Sequence, residues 1–445
     1  MLVSLLLACT APSVPVLPPD GDDTGEAPVL VPTDTFPSFY GEVPKNLLIV
    51  SVDTFRRDLM ARYGGEGFAP LLDRMAEEGV ALDAHRSCSN WTFPSVLCAN
   101  YGASNLDIGY APDLRDPDNA WAPDDVPTLA GRLSAAGWHT MLVTSNGWFS
   151  SDRNSDIGFA TSERPDDRRT MSIFGTGMER LAEVEALGTD RWYLHLHIKE
   201  PHPSYNPPEE YLAGLEGLPP TPYDLTDSDE QYDAGDAWPE MSEEDREILL
   251  AHLLVRYHGE VRWMNDQLTD TFAALDAGGY LDDTLVVFWT DHGEQFWEHG
   301  EQTHAYGLNN EENDGVAFLW AKNMVPGAWE GTTSLIDIAP TVLSLFDVPM
   351  DATITGFPVG EAPEDRVLDF VSVARLGPVQ SVVHDGWKLV YRWTTGERWL
   401  YDLTNDPAET TSLYDPAHPQ AVTLEATLGP RIEALQPLTT RYTPL

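Results

Sequence analysis

Two short apolar runs along the chain stop abruptly at carboxylates. Leu285 to Trp289, flanked by Thr284 and Thr290, ends at Asp291-His292-Gly293, and Leu47 to Val52 ends at Asp53-Thr54. Runs of this length without polar alternation predict strands buried on both faces. Thr140 to Thr144 and Trp192 to Ile198 predict two more. Between them the period becomes helical. Leu71, Leu72 and Met75 share a face of a predicted helix over 70–78. A second helix covers 128–136 and is closed by Gly137, and a long amphipathic one covers 243–275. This alternation predicts an α/β fold: a large, mostly parallel sheet covered by helices on both faces. Beyond about 350 the pattern changes to short strands over 379–383, 387–393 and 398–403, with turns at Asp385-Gly386 and Thr395-Gly396. With a last helix over 424–435, this predicts a small C-terminal α+β subdomain.

These boundaries give a catalytic domain at 44–350 and an antiparallel-sheet subdomain at 351–445. Residues 203–241, rich in Pro and Asp, form an insertion too long for a simple connection, expected at a pocket rim or lid. Residues 10–43 read as a flexible Pro/Asp-rich tether. Residues 1–9 resemble the end of a bacterial lipoprotein signal, with Cys9 as the lipidated residue, although no Lys or Arg precedes the apolar run. The expectation is an exported protein, lipid-anchored to the bacterial cell envelope, that meets the membrane only through this anchor. Cys88 and Cys98 then remain as a pair, either a disulfide or two buried thiols.

Charge narrows the partners. The formal net charge is −46, from 72 acidic and 26 basic residues, and only four of the basic ones are Lys. Such a surface repels nucleic acid, so no nucleic-acid partner is expected. An anionic substrate would need local positive charge from a metal and a few His or Arg.

The chemistry collects at strand ends, where α/β sheets gather functional groups. Asp53, Asp291 and His292 look built to hold a metal, against the plainer reading of helix-capping carboxylates. Thr92, in Asn90-Trp91-Thr92-Phe93-Pro94-Ser95, marks a helix start; it is either an N-cap or a nucleophile. His195 and His197 share a strand face, and His202 follows Pro201 on the exit loop. His299 and His304 lie downstream of His292. Trp91, Trp148 and Tyr205 are the aromatic residues available to stack on a sugar.

Six segments together resemble the sulfatase family of the alkaline phosphatase superfamily, over roughly 45–415: KNLLIVSVDTFRRDLMARYG, NWTFPS, LHIKEPHPSYNPP, YHGEVRWMNDQLTDTFAALDAGGYLDDTLVVFWTDHGEQFWEHG, SLIDIAPTVLSLFDVP and DGWKLVYRWTTGERWLYDLTNDPAETTSLYD. The resemblance implies metal ligands at Asp53, Asp291 and His292, with Thr54 where many members have a second Asp. It implies a nucleophile at Thr92, a general acid or anion-binding group at His202, a second pocket histidine at His197, an anion grip at His304, and an anion-binding Asn146. The implied cofactor is a divalent metal: Ca, Mn, Mg or Zn. Two departures stand out. Sulfatases that convert Cys or Ser to formylglycine cannot do so with Thr92, and their following Arg is Val96 here. The implied function is metal-dependent cleavage of sulfate (or phosphate) esters, on small molecules or glycans. The alternatives are a phosphodiesterase, phosphonate-ester hydrolase or phosphoethanolamine-type transferase, and an inactive glycan-binding surface lipoprotein.

Overall fold

The computed structural model describes residue 33 and residues 36–445, apart from 117, 119, 168 and 364. The expected lipoprotein-type signal and most of the tether lie outside the described residues. Residues 36–43, assigned to the tether from sequence, instead dock on the domain. Phe39 is fully buried and bridges to Met324, and Phe36 packs on Trp329. Among the described residues no helix is long and apolar enough to cross a membrane.

The main sheet is built from β1 (Asn46–Val52), β2 (Val80–Arg86), β3 (His139–Thr144), β4 (Thr161–Glu163), β5 (Trp192–Ile198) and β6 (Thr284–Thr290). After a short ribbon, β7 (Gln295–Phe296) with β8 (Gln302–Thr303), come β9 (Ala317–Trp320) and β10 (Gly327–Ser334). The order across the sheet is β10-β2-β9-β6-β1-β5-β3-β4. Every pairing is parallel except those of β9 with β2 and β6. The expected mostly parallel sheet is therefore present, with one antiparallel strand set inside it. The strands missed from sequence have a physical reason. β2 carries Asp83, His85 and Arg86, and β10 runs GAWEGTTS, so neither shows the unbroken apolar run of a central strand.

Helices cover both faces. On one face, Leu48, Val50, Leu194, Leu196, Val286 and Phe288 pack with α1 (Pro70–Glu78), α4 (Thr170–Leu187) and α6 (Glu243–Ala277). On the other, Leu47, Ile49, Tyr193, Leu285, Val287 and Trp289 pack with α2 (Thr92–Tyr101), α3 (Leu129–Ala135) and α8 (Ile338–Leu345). The insertion after β5 contains α5 (Ser228–Ala237), and α7 (Asn310–Asn313) lies between β8 and β9. Strand alternation then fixes where the site forms. Ser51, His195 and His197 share the parity of the second face, and Asp53 and Asp291 continue it.

The C-terminal subdomain is a meander of β11 (Leu368–Ala374), β12 (Gly377–His384), β13 (Trp387–Arg392) and β14 (Arg398–Asp402), backed by α9 (Pro419–Leu435). One buried ion pair ties it to the larger domain. Lys388 Nζ on β13 lies 2.8 Å from Glu409 Oε1, and neither side chain is exposed. Glu409 Oε2 accepts from the Asn309 side chain at 3.0 Å and the Asn310 backbone N–H at 2.9 Å, just beyond the loop after β6. Replacing Lys388 by Ala leaves a buried carboxylate without its cation. The expected loss is about 3–5 kcal/mol, read as a lower denaturation midpoint; Lys388→Met combined with Glu409→Gln should recover most of it.

Candidate functional site

Parallel pairing sets the two key carboxylates side by side. Asp53 N–H donates to Ile198 O at 3.0 Å and Asp291 N–H donates to Val52 O at 3.1 Å, so both residues sit at the same level just past their strands. Neither caps a helix. Asp291 Oδ1 accepts from its neighbour's N–H, His292, at 2.7 Å and from Thr54 N–H at 3.3 Å. Thr54 has φ +55°, which costs a β-branched residue about 1–3 kcal/mol. Tyr257 OH holds it there, donating to Thr54 O at 2.7 Å. Gly293 is needed for close approach to the Glu311 backbone, which a Cβ there would strike.

Around the carboxylates lies a set of buried polar atoms without hydrogen-bond partners: Asp53 Oδ1, Asp291 Oδ2, His292 Nε2, His197 Nε2 and Thr54 Oγ1. His292 Nε2 is 3.3 Å from Asp53 Oδ1 and 3.6 Å from Asp291 Oδ2. Ligand atoms of Asp53, His197 and Asp291 lie within 4.8 Å of one another. Both histidines are oriented from behind. His292 Nδ1 meets Gly293 O at 2.9 Å, which fixes the proton there and turns the Nε2 lone pair inward. His197 Nδ1 meets Ser51 Oγ at 2.7 Å, and Ser51 Oγ meets His195 Nε2 at 2.8 Å. His195 is therefore a buried support, packed on Phe149 and Trp289, rather than a pocket residue.

This arrangement fits a divalent cation. Two ionised carboxylates this close repel by about 3–4 kcal/mol even at an effective dielectric near 20. Burial, and for Asp53 also the charge of Asp291, pushes both carboxyls up to about 8. Burial lowers His292 and takes His197 down to about 3, so both offer neutral lone pairs. The donor set of carboxylate oxygens and imidazole nitrogens, each inward-facing and otherwise unsatisfied, suits a metal ion.

Thr92 faces this cluster. The helix N-cap of α2 is Trp91, so Thr92 is the first helical residue and its hydroxyl is not spent on capping. Thr92 Oγ1 accepts from Asn146 Nδ2 at 3.2 Å and lies beside the Asp291 carboxylate. Asn146 Nδ2 also donates to Asp53 Oδ2 at 2.7 Å. A disulfide joins Cys88 to Cys98 and brackets Thr92. Val96, one turn on, is fully buried in the apolar cluster of its face, so no cation stands at that position.

His202 and His304 face each other with ring centroids 5.1 Å apart, and His304 lies 4.5 Å from the His292 ring. Burial lowers both, with the charges of Lys199 and His292 adding to the effect, and His202 falls to about 3. His202 Nδ1 meets Pro203 O at 2.7 Å, and His304 Nδ1 meets Glu294 Oε1 at 3.0 Å. The loop of His304 is itself held by Glu312, whose carboxylate accepts from Ala305 N–H at 2.8 Å and Gly307 N–H at 3.1 Å. Every residue singled out from sequence as ligand, nucleophile or anion grip thus converges here, with His197 beside the carboxylates.

The remaining sequence expectations sort out by burial. His299 pairs with Glu311 at 3.0 Å instead of joining the site. Trp91 and Tyr205 are buried and closed to a sugar, whereas Trp148 lines a cleft with Asn146 and His202. Insertion residues Pro203, Ser204 and Asn206 to Glu209 line the neighbouring cleft, which places part of the insertion at the rim. Glu294 and Ser51 were missed. Glu294 carries a signal in retrospect, an acid directly after Asp291-His292-Gly293, but its partner is ten residues away and only the ribbon β7-β8 brings them together.

The sulfatase family profile matches residues 45–348. The chain belongs to the sulfatase family. It is similar to a choline-sulfatase of Rhizobium meliloti (strain 1021), 24% identical over 86% of this chain and 84% of that protein. It is similar also to an arylsulfatase of Clostridium perfringens (strain 13 / Type A), 22% identical over 83% and 90%. Its fold matches the solved structure of BT4656 with its substrate D-glucosamine-2-N,6-O-disulfate, with a TM-score of 0.71 at 16% identity over 88% of this chain and 98% of that one. A phosphonate monoester hydrolase from Silicibacter pomeroyi matches with a TM-score of 0.66 at 18% identity, over 88% and 95%. This sulfatase-family hydrolase should depend on the Glu294–His304 contact. Glu294→Gln should lower kcat about tenfold to a hundredfold with KM little changed, measured on an aryl sulfate; an unchanged kcat would rule out an orienting role.

Proposed function

We propose that the protein hydrolyses sulfate esters with Thr92 as its nucleophile and a divalent ion held by Asp53, Asp291, His292 and His197. Thr54 adjoins this set but offers only a hydroxyl. The observation that carries the reading is the group of inward-facing, unsatisfied oxygen and nitrogen atoms directly beside an uncapped Thr92 hydroxyl. When bound, such an ion polarises an ester oxygen and offsets charge in the transition state.

The chain's own groups supply the rest. Asn146 Nδ2, 3.2 Å from Thr92 Oγ1, is placed to donate to an oxygen of the group being transferred. The positive end of α2 favours an anion beside Thr92. The Asp291 carboxylate accepts the Thr92 proton as Oγ1 attacks sulfur and the bond to the leaving oxygen breaks. Burial holds His202 and His304 neutral, but an arriving anion works in the opposite direction and favours imidazolium. His304 then donates from Nε2 to the leaving oxygen while its Nδ1–H stays on Glu294. His202 stands across from it as the second proton carrier. In the second half water attacks sulfur and gives a proton to the same imidazole, while the bond from sulfur to Thr92 Oγ1 breaks and Oγ1 takes its proton back from Asp291.

A second reading keeps the machinery and changes the ester. An unmodified Thr nucleophile, with apolar Val96 where formylglycine enzymes have Arg, suits phosphodiesters or phosphonate esters. We also read the protein as exported and held to the cell envelope through Cys9. The Cys88–Cys98 disulfide supports this, since such bonds persist in oxidising compartments.

The test compares 4-nitrophenyl sulfate with bis(4-nitrophenyl) phosphate after loading with Ca, Mn, Mg or Zn. Sulfate turnover should dominate, and Thr92→Ala should abolish it by about a thousandfold or more. Diester turnover in its place would select the second reading. Turnover of neither, or turnover indifferent to Thr92, would overturn both.

A further inference from the structure

Among the described residues, the mouth of the site holds two cations that make no ion pair. Of the four lysines, Lys45 pairs with Asp283, Lys322 with Asp276 and Asp282, and Lys388 with Glu409. Among the described residues Lys199 makes no ion pair and its ammonium no hydrogen bond, although Glu200 and Glu260 share its cleft and feel its charge. Lys199 follows β5, and its side chain lines two clefts that meet at His202. One, of about 330 Å³, runs past Asn146 and Trp148; the other, of about 650 Å³, runs along the insertion.

Arg375 comes from the opposite direction, the β11–β12 turn of the C-terminal subdomain. Its backbone N–H donates to Ala305 O at 3.1 Å, next to His304. Its guanidinium lies over the rings of Tyr232 and Tyr306, 5.2 and 5.3 Å from their centroids. A long bond of 3.4 Å to Tyr232 OH is its side-chain hydrogen bond, and Nε is buried without an acceptor. Three segments far apart in sequence therefore build the setting of one unpaired guanidinium. Glu294 and Glu301 are near enough to feel this charge, yet neither forms an ion pair with it. In a chain with 72 acidic residues, Lys199 and Arg375 thus stand without ion pairs, and both border the site.

Lys199 lines both clefts beside His202, and the backbone of Arg375 is bonded to Ala305, next to His304, which sets both cations around the two proton donors. The transferred group lies with Thr92, Asn146 and the two aspartates. The histidines flank the leaving oxygen, and whatever that oxygen carries meets Lys199 and Arg375.

We infer that Lys199 and Arg375 form a subsite for a second anionic group, carboxylate or sulfate, on the alcohol half of the substrate, so that the natural substrate is a multiply anionic ester. The inference rests on the functional reading for its geometry. It also accounts for how a chain of net charge −46 admits a polyanion: Lys199 and Arg375 supply local attraction at the mouth.

Calorimetric binding to the metal-loaded protein tests it without requiring turnover. The probes are ethanesulfonate, the α,ω-disulfonates from ethane to pentane, and 4-sulfobutanoate, at one fixed ionic strength. At least one disulfonate should bind about tenfold tighter than ethanesulfonate, the gain of a charge-assisted contact. Arg375→Gln and Lys199→Gln should each remove most of that gain while ethanesulfonate stays within about twofold. Arg375→Lys should keep part of it. 4-Sulfobutanoate matching butane-1,4-disulfonate would assign the second anion to carboxylate as readily as to sulfate; its failure would select sulfate. The subsite is overturned if no dianion is preferred by the wild type, or if the variants weaken ethanesulfonate and disulfonate alike. Missing Thr92-dependent hydrolysis would undo the functional reading and leave this binding result standing.

Discussion

Two carboxylates, Asp53 and Asp291, sit fully buried at the ends of adjacent parallel strands, and their mutual repulsion is the constraint that organises the site. Backbone and amide groups satisfy part of each: Asn146 on Asp53, and the His292 and Thr54 N–H groups on Asp291. What remains is one oxygen on each, turned toward two imidazole nitrogens, those of His292, held from behind by the Gly293 carbonyl, and of His197, held by Ser51. No arrangement of protein donors completes this set. A divalent cation would, and the oriented histidines, the strained Thr54 and the disulfide-bracketed start of α2 all make sense around one.

The sheet's geometry brings these groups together for a simple reason. A period of two keeps Ser51, Asp53, His195, His197 and Asp291 on one face, and parallel register keeps the strand ends level. The face they share is the one covered by α2, whose first helical residue is Thr92. The C-terminal subdomain then closes the arrangement from outside. The buried Lys388–Glu409 pair fixes it beside the loop of His304, and its β11–β12 turn delivers Arg375.

Much of this was legible in the chain, unevenly. Central strands declare themselves because burial on both faces demands unbroken apolar runs, and β1, β5 and β6 were placed within a residue or so. β2 and β10 were hidden by polar residues that sheet position, not local sequence, explains. At the site, Asp53, Asp291, His292 and Thr92 were readable because each stands at a strand end or helix start. The place of His197 beside the carboxylates was not, since a strand histidine looks alike whether it supports a core or faces an ion. Glu294 and Arg375 work through partners that only tertiary structure supplies. The same holds for Trp91 and Tyr205, whose burial no local pattern announces.

The central claim is that a cation balances the paired carboxylates, and metal-dependent thermal stability tests it most directly. Melting temperatures would be compared for the wild type, Asp53→Asn and Asp291→Asn, each in chelator and with added divalent metal. The account predicts that metal raises the wild-type melting temperature by several degrees. It predicts that in chelator each Asn variant melts no lower than the wild type, because the substitution removes a buried unbalanced charge, and that the variants lose the response to metal. A wild type indifferent to metal, with both variants melting well below it in chelator, would show that the carboxylates are balanced by the protein itself and would contradict the account.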